Sequence, residues 1–355
     1  MPSPLIISSH TGEYTATFTD QVLSSPAAII SDDSYVIIDA NVAKLYKDQL
    51  SQVLSRPTTI VIEASEEAKS LSQIIPIIDQ LVENKIRRSN HLLAIGGGVI
   101  QDITCFIASI LLRGIEWQFI PTTLLAQADS CIGSKSSINL ASAKNIVGTF
   151  HPPRKIWIDK EFLKTLSETE IRSGLGEILK VHAIDSAESF DDLATEVSTL
   201  LYDLVLLEQR IHKSLLIKKR FIEIDEFDRG IRKIFNFGHS FGHAIEAATN
   251  FAVPHGIAVT MGMDIACHIA CARSLITKDN YERMSVALKS NYEPFKSVRI
   301  PLDLMFSALA KDKKNTATDL GLVLPVGTNS SIEFVKIAPD DTFHRQLTDA
   351  VAALA

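Results

Sequence analysis

The chain has few of the features that mark secreted, membrane-spanning or nucleic-acid-binding proteins. It contains only four cysteines in 355 residues, without the spacing of a disulfide framework, which is typical of reduced thiols in a cytosolic protein. The longest apolar run, residues 103–112, is too short to cross a bilayer and ends at Arg113. The first residues lack a basic stretch followed by a long apolar segment, so we expect no secretory signal. The net charge of −7 argues against a nucleic-acid or anionic-membrane surface, so any anionic ligand must be held by a local group of Lys and Arg.

The order of strand-like and helix-like segments predicts two domains. Apolar runs and period-two alternation predict strands at 14–18, 35–39, 58–63, 92–95, 117–121 and 155–159. Helical patterns fall at 66–85 and 99–112, and then at 161–184, 187–226, 239–250 and 257–275. We therefore predict an α/β domain over residues 1–159 and a mostly α-helical domain over residues 160–355.

Three of the ten histidines are crowded into one stretch of the helical half. His239 and His243 are four residues apart, so their side chains leave one face of a helix, and His255 follows within the same 17 positions. Imidazole is the commonest protein ligand of zinc-like metals, and Glu177 in G-L-G-E-I-L-K could add a carboxylate. A purely structural role for two histidines on a partly apolar helix explains the same pattern.

A run of three glycines, Gly96 to Gly98, separates a predicted strand from a predicted helix. Backbone without Cβ atoms can approach a pyrophosphate closely, and the helix that follows offers free N–H groups. However, G-G-G-V-I-Q-D is not the dinucleotide fingerprint, and a tight strand-to-helix turn explains it equally well. Asp102 on the first helical turn could likewise be only a capping residue, because a carboxylate there interacts favourably with the helix dipole.

Several motifs occur in an order that resembles one family. They are G-G-G-V-I-Q-D, L-L-R-G, P-T-T-L-L-A-Q-A-D-S-C-I-G-S-K, K-N-I-V-G-T-F, G-L-G-E-I-L-K, F-N-F-G-H-S-F-G-H-A-I-E, H-G and D-K-K. Together they resemble the 3-dehydroquinate synthases of the sugar phosphate cyclase family, and the resemblance runs from about residue 35 to 335. The resemblance implies a dehydroquinate synthase-like fold, an NAD-binding first domain, and a cytoplasmic homodimer that works in the shikimate pathway of aromatic amino acid biosynthesis. No nucleic acid or membrane partner is expected.

The resemblance also implies the site residues. The metal ligands are Glu177, His239 and His255, with zinc as the usual ion and cobalt as an alternative, so that His243 becomes a phosphate or proton-transfer residue. The implied NAD-binding residues are Asp39, Asn41, Glu66, Lys69, Gly97, Gly98, Asp102, Thr122, Thr123 and Leu125. The implied catalytic residues are Lys135, Lys180, Lys218, Arg232, Asn236 and His243. The implied substrate-binding residues are Arg113, which reaches a neighbouring subunit, with Asp129, Lys144, Asn145, Lys313 and Lys314.

The implied substrate is 3-deoxy-D-arabino-heptulosonate 7-phosphate, which NAD-dependent oxidation, phosphate elimination, reduction and aldol closure convert to 3-dehydroquinate. Arg232 and Lys218 favour this carboxylate-bearing substrate over others. The chain departs from the family pattern at Gln101, Ser134 and Ile257, and also at Gly321. The alternatives are a specialised cyclase (aminodehydroquinate, 2-deoxy-scyllo-inosose or valiolone type), a metal-dependent polyol dehydrogenase, or a non-catalytic binding protein.

Overall fold

A computed structural model describes residues 1–140, 143–311 and 318–355, which form two compact units. The first unit comprises Met1–Leu166 with Lys218–Phe227, and the second comprises Ser167–Ile217 with Asp228–Ala355. The predicted domain boundary between residues 159 and 160 remains a prediction.

The strands of the described residues are β1 (Leu5–Ile7), β2 (Tyr14–Phe18), β3 (Ser34–Asp39), β4 (Thr59–Ile62), β5 (His91–Gly96), β6 (Trp117–Pro121), β7 (Lys135–Leu140), β8 (Ala143–Phe150), β9 (Lys155–Ile158), β10 (Leu320–Val326) and β11 (Ser331–Ile337). The helices are α1 (Gln21–Ser24), α2 (Pro26–Ile29), α3 (Ala40–Leu45), α4 (Ser51–Leu54), α5 (Leu71–Glu83), α6 (Gly98–Ile110), α7 (Glu168–Asp185), α8 (Ala187–Ala194), α9 (Val197–Leu200), α10 (Leu204–Ile224), α11 (His239–Ala248), α12 (His255–Ala272), α13 (Lys278–Tyr292), α14 (Leu302–Ala310) and α15 (Asp341–Ala352).

The first unit is built on a seven-stranded sheet in the order β1-β2-β9-β6-β5-β3-β4. All neighbouring strands are parallel except β1 and β2, which are antiparallel. The chain runs from β3 to β4 on one side and from β5 to β6 on the other, so the strand order reverses between β3 and β5. In open α/β sheets, ligands bind beyond the carboxyl ends of the strands at such a reversal.

Apolar side chains of β3 and β5 form the core beneath this sheet edge. Val36, Ile38, Leu93 and Ile95 are almost completely buried and belong to one cluster. Tyr46 closes the cluster, and its hydroxyl group lies 2.9 Å from the side-chain oxygen of Thr165. This packing fixes the strands whose ends carry the predicted cofactor-binding residues.

The second unit is mainly helical, and α12 is its central helix. It packs against α7, α11, α13 and α15 and against β10. By length and composition α12 could cross a membrane, but 78% of its apolar window is buried inside the protein. That burial, by five other elements, is typical of a core helix.

The predicted fold class is confirmed, while some elements differ from the predictions. The six predicted strands correspond to β2, β3, β4, β5, β6 and β9. The helix predicted from residue 66 begins only at Leu71, and the stretch predicted over 161–184 breaks at Ser167, which forms a capping box with Glu170. The sequence analysis missed both two-stranded sheets, β7–β8 and β10–β11. All four cysteines are free, as expected.

Candidate functional site

Three side chains of the second unit, each from a different helix, converge on one point. Glu177 lies within α7, whereas His239 and His255 are the first residues of α11 and α12. The Glu177 Oε1 atom is 3.3 Å from Nε2 of His255 and 3.7 Å from Nε2 of His239. One ligand atom from each residue lies within 4.8 Å of the others, which is the spacing that a shared metal ion requires.

The charges around Glu177 keep its carboxyl group ionised. Burial raises the pKa of Glu177, but the ammonium of Lys180 one helical turn away and the two imidazoles lower it well below its usual range. Burial lowers the pKa of His239, so this ring is neutral and can act as a ligand. Burial would also lower the pKa of His255, but the carboxylates of Glu177 and Glu246 outweigh burial and raise it to about 10.

This arrangement fits a divalent metal ion. Both carboxylate oxygens of Glu177 are buried and accept no well-formed hydrogen bond from the described part of the chain. One carboxylate with two imidazoles is a ligand set of catalytic zinc sites, which leaves a coordination position for substrate. A cation here would add to the positive charge that Lys180 already supplies to the buried carboxylate.

Two glycines next to the ligands allow α7 and α12 to approach each other closely. A Cβ atom on Gly176 would overlap the carbonyl oxygen of Gly256 and lie 2.5 Å from the hydroxyl oxygen of Thr260. A Cβ atom on Gly256 would overlap the carbonyl oxygen of Ser173. Because Gly176 precedes Glu177 and Gly256 follows His255, backbone contact between the two helices sets the distance between these ligands.

The other predicted residues of the second unit surround this group in different settings. His243 is exposed on α11, with its ring centre 5.4 Å from that of His239. Arg232 is buried in the 3₁₀ turn Ile231–Asn236, and the side-chain amide of Asn236 donates a hydrogen bond to a backbone carbonyl in that turn. Lys180 is 2% exposed and also lies over the ring of Phe235 at 5.7 Å. Lys313 and Lys314 lie outside the described residues.

The predicted cofactor-binding residues of the first unit lie at the carboxyl ends of adjacent strands. Asp39 ends β3, and its side chain accepts a hydrogen bond of 2.8 Å from the backbone N–H of Asn41. Gly97 and Gly98 follow β5. The residues that follow β6 are Thr122, Thr123 and Leu125. The strand order therefore brings these three groups to one edge of the sheet.

The turn at Gly97 has room for an anionic group. Helix α6 begins here, and no side chain caps its first N–H groups. A Cβ atom on Gly98 would meet nothing within 4 Å among the described residues. Free N–H groups and the positive end of a helix dipole suit a phosphate of a dinucleotide.

Lys69 is the centre of a polar cluster in the first unit. Its ammonium lies 2.7 Å from Oδ2 of Asp102, 3.2 Å from Oδ1 of Asn145 and 3.9 Å from Oε1 of Glu66. Burial raises the pKa of the Asp102 carboxyl group above its usual value, and the ammonium of Lys69 offsets only part of that increase. The structure thus brings three predicted cofactor-binding residues together with Asn145, which was predicted to bind substrate.

Lys218 and Asp129 form a second pair in the first unit. The ammonium of Lys218 is 2.7 Å from Oδ1 of Asp129, and both side chains are mostly buried. Lys135, at the start of β7, is exposed, and Arg113 is exposed in a turn with a left-handed backbone at φ 68°. The side chain of Lys144 lies outside the described residues.

All four departures from the family pattern, at Gln101, Ser134, Ile257 and Gly321, are buried. The side-chain amide of Gln101 donates to the carbonyl of Ser130 at 2.6 Å and accepts from its hydroxyl at 2.6 Å. Gln101 therefore holds the residue next to Asp129. Ser134, beside Lys135, is 2% exposed.

Comparison with known proteins identifies the family. The model of the 3-dehydroquinate synthase N-terminal region matches residues 59–173, and the model of the C-terminal region matches residues 174–315. The chain belongs to the 3-dehydroquinate synthase family. A relative from Alkaliphilus metalliredigens named 3-dehydroquinate synthase is 35% identical over 319 residues, covering 88% of both chains. One of the same name from Dictyoglomus turgidum is 39% identical over 294 residues, covering 82% of both.

Solved structures support the same fold. A 2-epi-5-epi-valiolone synthase from Streptomyces hygroscopicus subsp. jinggangensis, with NAD⁺ and Zn²⁺ bound, is 29% identical with a TM-score of 0.84 over 96% of both chains. A 2-deoxy-scyllo-inosose synthase with NAD⁺ and Co²⁺ gives a TM-score of 0.82 at 23% identity, covering 98% of this chain and 100% of that one. An iron-containing alcohol dehydrogenase gives 0.62 at 14% identity, covering 96% and 97%, which is a likeness of fold alone. The expected family is therefore confirmed.

Two residues that were not predicted from the sequence contact predicted site residues. Ser137 donates from its backbone and its hydroxyl to the two carboxylate oxygens of Asp102. Glu246 lies against His255 at 3.3 Å. Because Glu246 is three residues after His243 and seven after His239, helical spacing could have indicated that it shares their face. The contact of Ser137 joins residues 35 apart, and local spacing carries no signal for it.

Proposed function

We propose that this protein catalyses the 3-dehydroquinate synthase reaction, in which 3-deoxy-D-arabino-heptulosonate 7-phosphate becomes 3-dehydroquinate and phosphate. The named relatives at 34–39% identity support this reaction, and they extend over 82% or more of the chain. On this proposal the protein is a cytoplasmic homodimer of the shikimate pathway, and Arg113 of each subunit contacts a phosphate in the other.

The proposed cofactors are NAD and one divalent metal ion, zinc in the first instance and cobalt as an alternative. The structural relatives that carry NAD⁺ with Zn²⁺ or Co²⁺ support this pair. When bound, NAD takes up and returns a hydride, and the metal acts as a Lewis acid toward substrate oxygens. Glu177, His239 and His255 would hold the metal. The cluster around Lys69 and the turn at Gly97 would hold the dinucleotide.

The basic residues of the chain have separate tasks in this proposal. The buried guanidinium of Arg232 suits a carboxylate, because its planar array of donors can make two parallel hydrogen bonds. Lys180 has three N–H donors and is buried beside Glu177, so it can stabilise an oxygen that gains negative charge. Lys135 and Lys218 would bind further substrate oxygens.

The proton-transfer residue of this proposal is His243. It is exposed on α11 within a ring-to-ring distance of 5.4 Å from His239, so solvent can exchange its proton. An imidazole can both accept and donate a proton near neutral pH. Asn236, whose amide is held by the same turn as Arg232, would orient a substrate oxygen.

The observation that carries this function is the convergence of Glu177, His239 and His255 beside the buried ammonium of Lys180. The group combines a site for a cation with a fixed positive charge next to it. Electrostatic stabilisation of a substrate oxygen requires such a combination, and a non-catalytic binding protein has no need to bury it.

A valiolone-type synthase is the second candidate, and the TM-score of 0.84 at 29% identity favours it. The two candidates differ in the substrate, because the heptulosonate carries a carboxylate and the cyclised sugar phosphates of the other type do not. The buried Arg232 favours the carboxylate-bearing substrate, because a guanidinium can bind a carboxylate through two parallel hydrogen bonds.

A phosphate-release assay with a panel of sugar phosphates tests the function. The purified protein receives NAD and Zn²⁺, and either 3-deoxy-D-arabino-heptulosonate 7-phosphate, sedoheptulose 7-phosphate or glucose 6-phosphate. We expect phosphate release from the heptulosonate with no net accumulation of NADH. Release from sedoheptulose 7-phosphate alone would support the second candidate, and accumulation of NADH in proportion to product would indicate a dehydrogenase.

A further inference from the structure

His255 has a carboxylate on each of its two ring nitrogens. Its Nε2 atom faces Glu177 at 3.3 Å, and its Nδ1 atom is 3.3 Å from both carboxylate oxygens of Glu246. The side chain of Glu246 is 13% exposed and that of His255 is 35% exposed, so the contact is partly buried. Glu246 is not one of the predicted metal ligands.

The chemistry of the contact selects one form of the imidazole ring. An ionised carboxylate only accepts hydrogen bonds, so the Nδ1 atom must carry the proton that it donates to Glu246. When a metal ion binds the ring through Nε2, the lone pair must lie on Nε2, and the one remaining ring proton is then the Nδ1 proton that Glu246 accepts. Ligation through Nε2 requires this tautomer.

We propose that Glu246 is a positioning residue, which accepts the Nδ1–H of His255 and thereby holds Nε2 in the tautomer and orientation that bind a divalent metal. The proposal rests on the proposed function, in which Glu177, His239 and His255 hold that metal. Glu246 itself does not contact the ion.

The backbone keeps Glu246 and His255 at this distance. They lie on α11 and α12, and these helices pack tightly where Gly242 faces Val259. A Cβ atom on Gly242 would be 3.0 Å from the backbone nitrogen of Val259, which leaves no room to shift one helix along the other. The two helix backbones that carry Glu246 and His255 are therefore held close together.

A different role for Glu246 is that of a ligand to a second ion. His243, Glu246 and His255 also offer ligand atoms within 4.8 Å of one another. We favour positioning because both Glu246 oxygens are directed at Nδ1 of His255 at equal distances, whereas His243 is exposed. Metal stoichiometry separates the two roles.

The experiment measures zinc affinity, which is independent of turnover. The full chain is stripped of metal and titrated with Zn²⁺ against a chromophoric chelator, for wild type, Glu246→Ala and Glu246→Gln. We expect the alanine variant to bind zinc roughly 10- to 100-fold more weakly, because ligand-orienting partners have effects of this size. The glutamine variant loses less, since its amide oxygen still accepts from Nδ1. Glu196→Ala is the matched control: it removes the same charge in the same unit, but Glu196 pairs with Arg210 at 2.7 Å.

Each outcome bears on a different statement. Zinc affinity equal to wild type in Glu246→Ala overturns the positioning role, and so does loss of a second zinc equivalent while the first remains tight. If the alanine variant does not fold, Glu246→Gln alone decides the question. We expect it to bind zinc severalfold more weakly than wild type, and unchanged zinc affinity would overturn the proposal. Failure of the wild type to bind zinc would instead reject the metal centre of the proposed function.

Discussion

Replacing Gly176 by alanine tests how closely the metal ligands depend on helix packing. Gly176 precedes Glu177 in α7, and an added Cβ atom would overlap the carbonyl oxygen of Gly256, the residue after His255. The overlapping atom belongs to the backbone, so it cannot turn aside as a side chain could. We therefore expect α7 and α12 to move apart, and Glu177 with them.

The size of the effect follows from two opposing terms. Overpacking a tight contact costs about 1–3 kcal/mol and more where backbone must move, which places this site at the upper end. Alanine returns up to about 1 kcal/mol through its better helix propensity. The net loss is about 2 kcal/mol, which corresponds to a decrease in Tm of roughly 4–8 °C for a domain of this size class.

Thermal unfolding and zinc titration of Gly176→Ala together provide the assay. We expect a lower Tm and weaker zinc binding in the same variant, because one helix displacement causes both. Gly98→Ala is the matched control, since its Cβ atom would meet nothing within 4 Å of the described residues, and we expect its Tm and zinc affinity not to fall. A Gly176→Ala protein as stable as wild type, with equal zinc affinity, would refute the packing argument.

Three further predictions concern charged and titrating groups. Lys218→Met leaves the mostly buried carboxylate of Asp129 without its partner at 2.7 Å. The free energy of unfolding measured in urea should therefore decrease by about 3 kcal/mol. A decrease below about 1 kcal/mol would mean that solvent already screens the pair. Lys69→Met removes the ammonium from the proposed dinucleotide site. The KM for NAD should therefore increase roughly tenfold, while the KM for sugar phosphate changes little. The opposite pattern would contradict the assignment of Lys69 to the dinucleotide site. Burial lowers the pKa of His182 to about 4, so the unfolded chain takes up a proton first as the pH falls below about 6.5. Stability is thus lost between about pH 6.5 and 4, by about 3 kcal/mol more in wild type than in His182→Gln, and parallel pH profiles would contradict this.

Local patterns predicted the elements of the first unit well. Buried runs such as residues 35–39 and 117–121 became β3 and β6 because a parallel strand covered on both faces is apolar along its whole length. The helix predicted from residue 66 begins later, because the preceding turn contributes Lys69 to the contact with Asp102. This contact joins distant residues, which no local pattern contains.

The residue types of the candidate site were predicted from the sequence, but only some of their contacts were. The spacing of His239 and His243 predicted a shared helix face, and both lie on α11. Residue physics could not choose which imidazoles join Glu177, because His255 begins a separate helix whose direction depends on the packing of Gly176 against Gly256. The family resemblance supplied that choice.

Metal content of four purified proteins tests the central claim most directly. The four proteins are wild type, Glu177→Ala, His239→Ala and His255→Ala. Each is equilibrated with a small excess of Zn²⁺, desalted and analysed for zinc per chain. We expect one tightly bound zinc ion in the wild type and its loss from each variant, while circular dichroism shows that each variant keeps its folded structure. Retention of stoichiometric zinc in the folded variants, or phosphate release by a wild-type protein that holds no metal, would contradict this expectation.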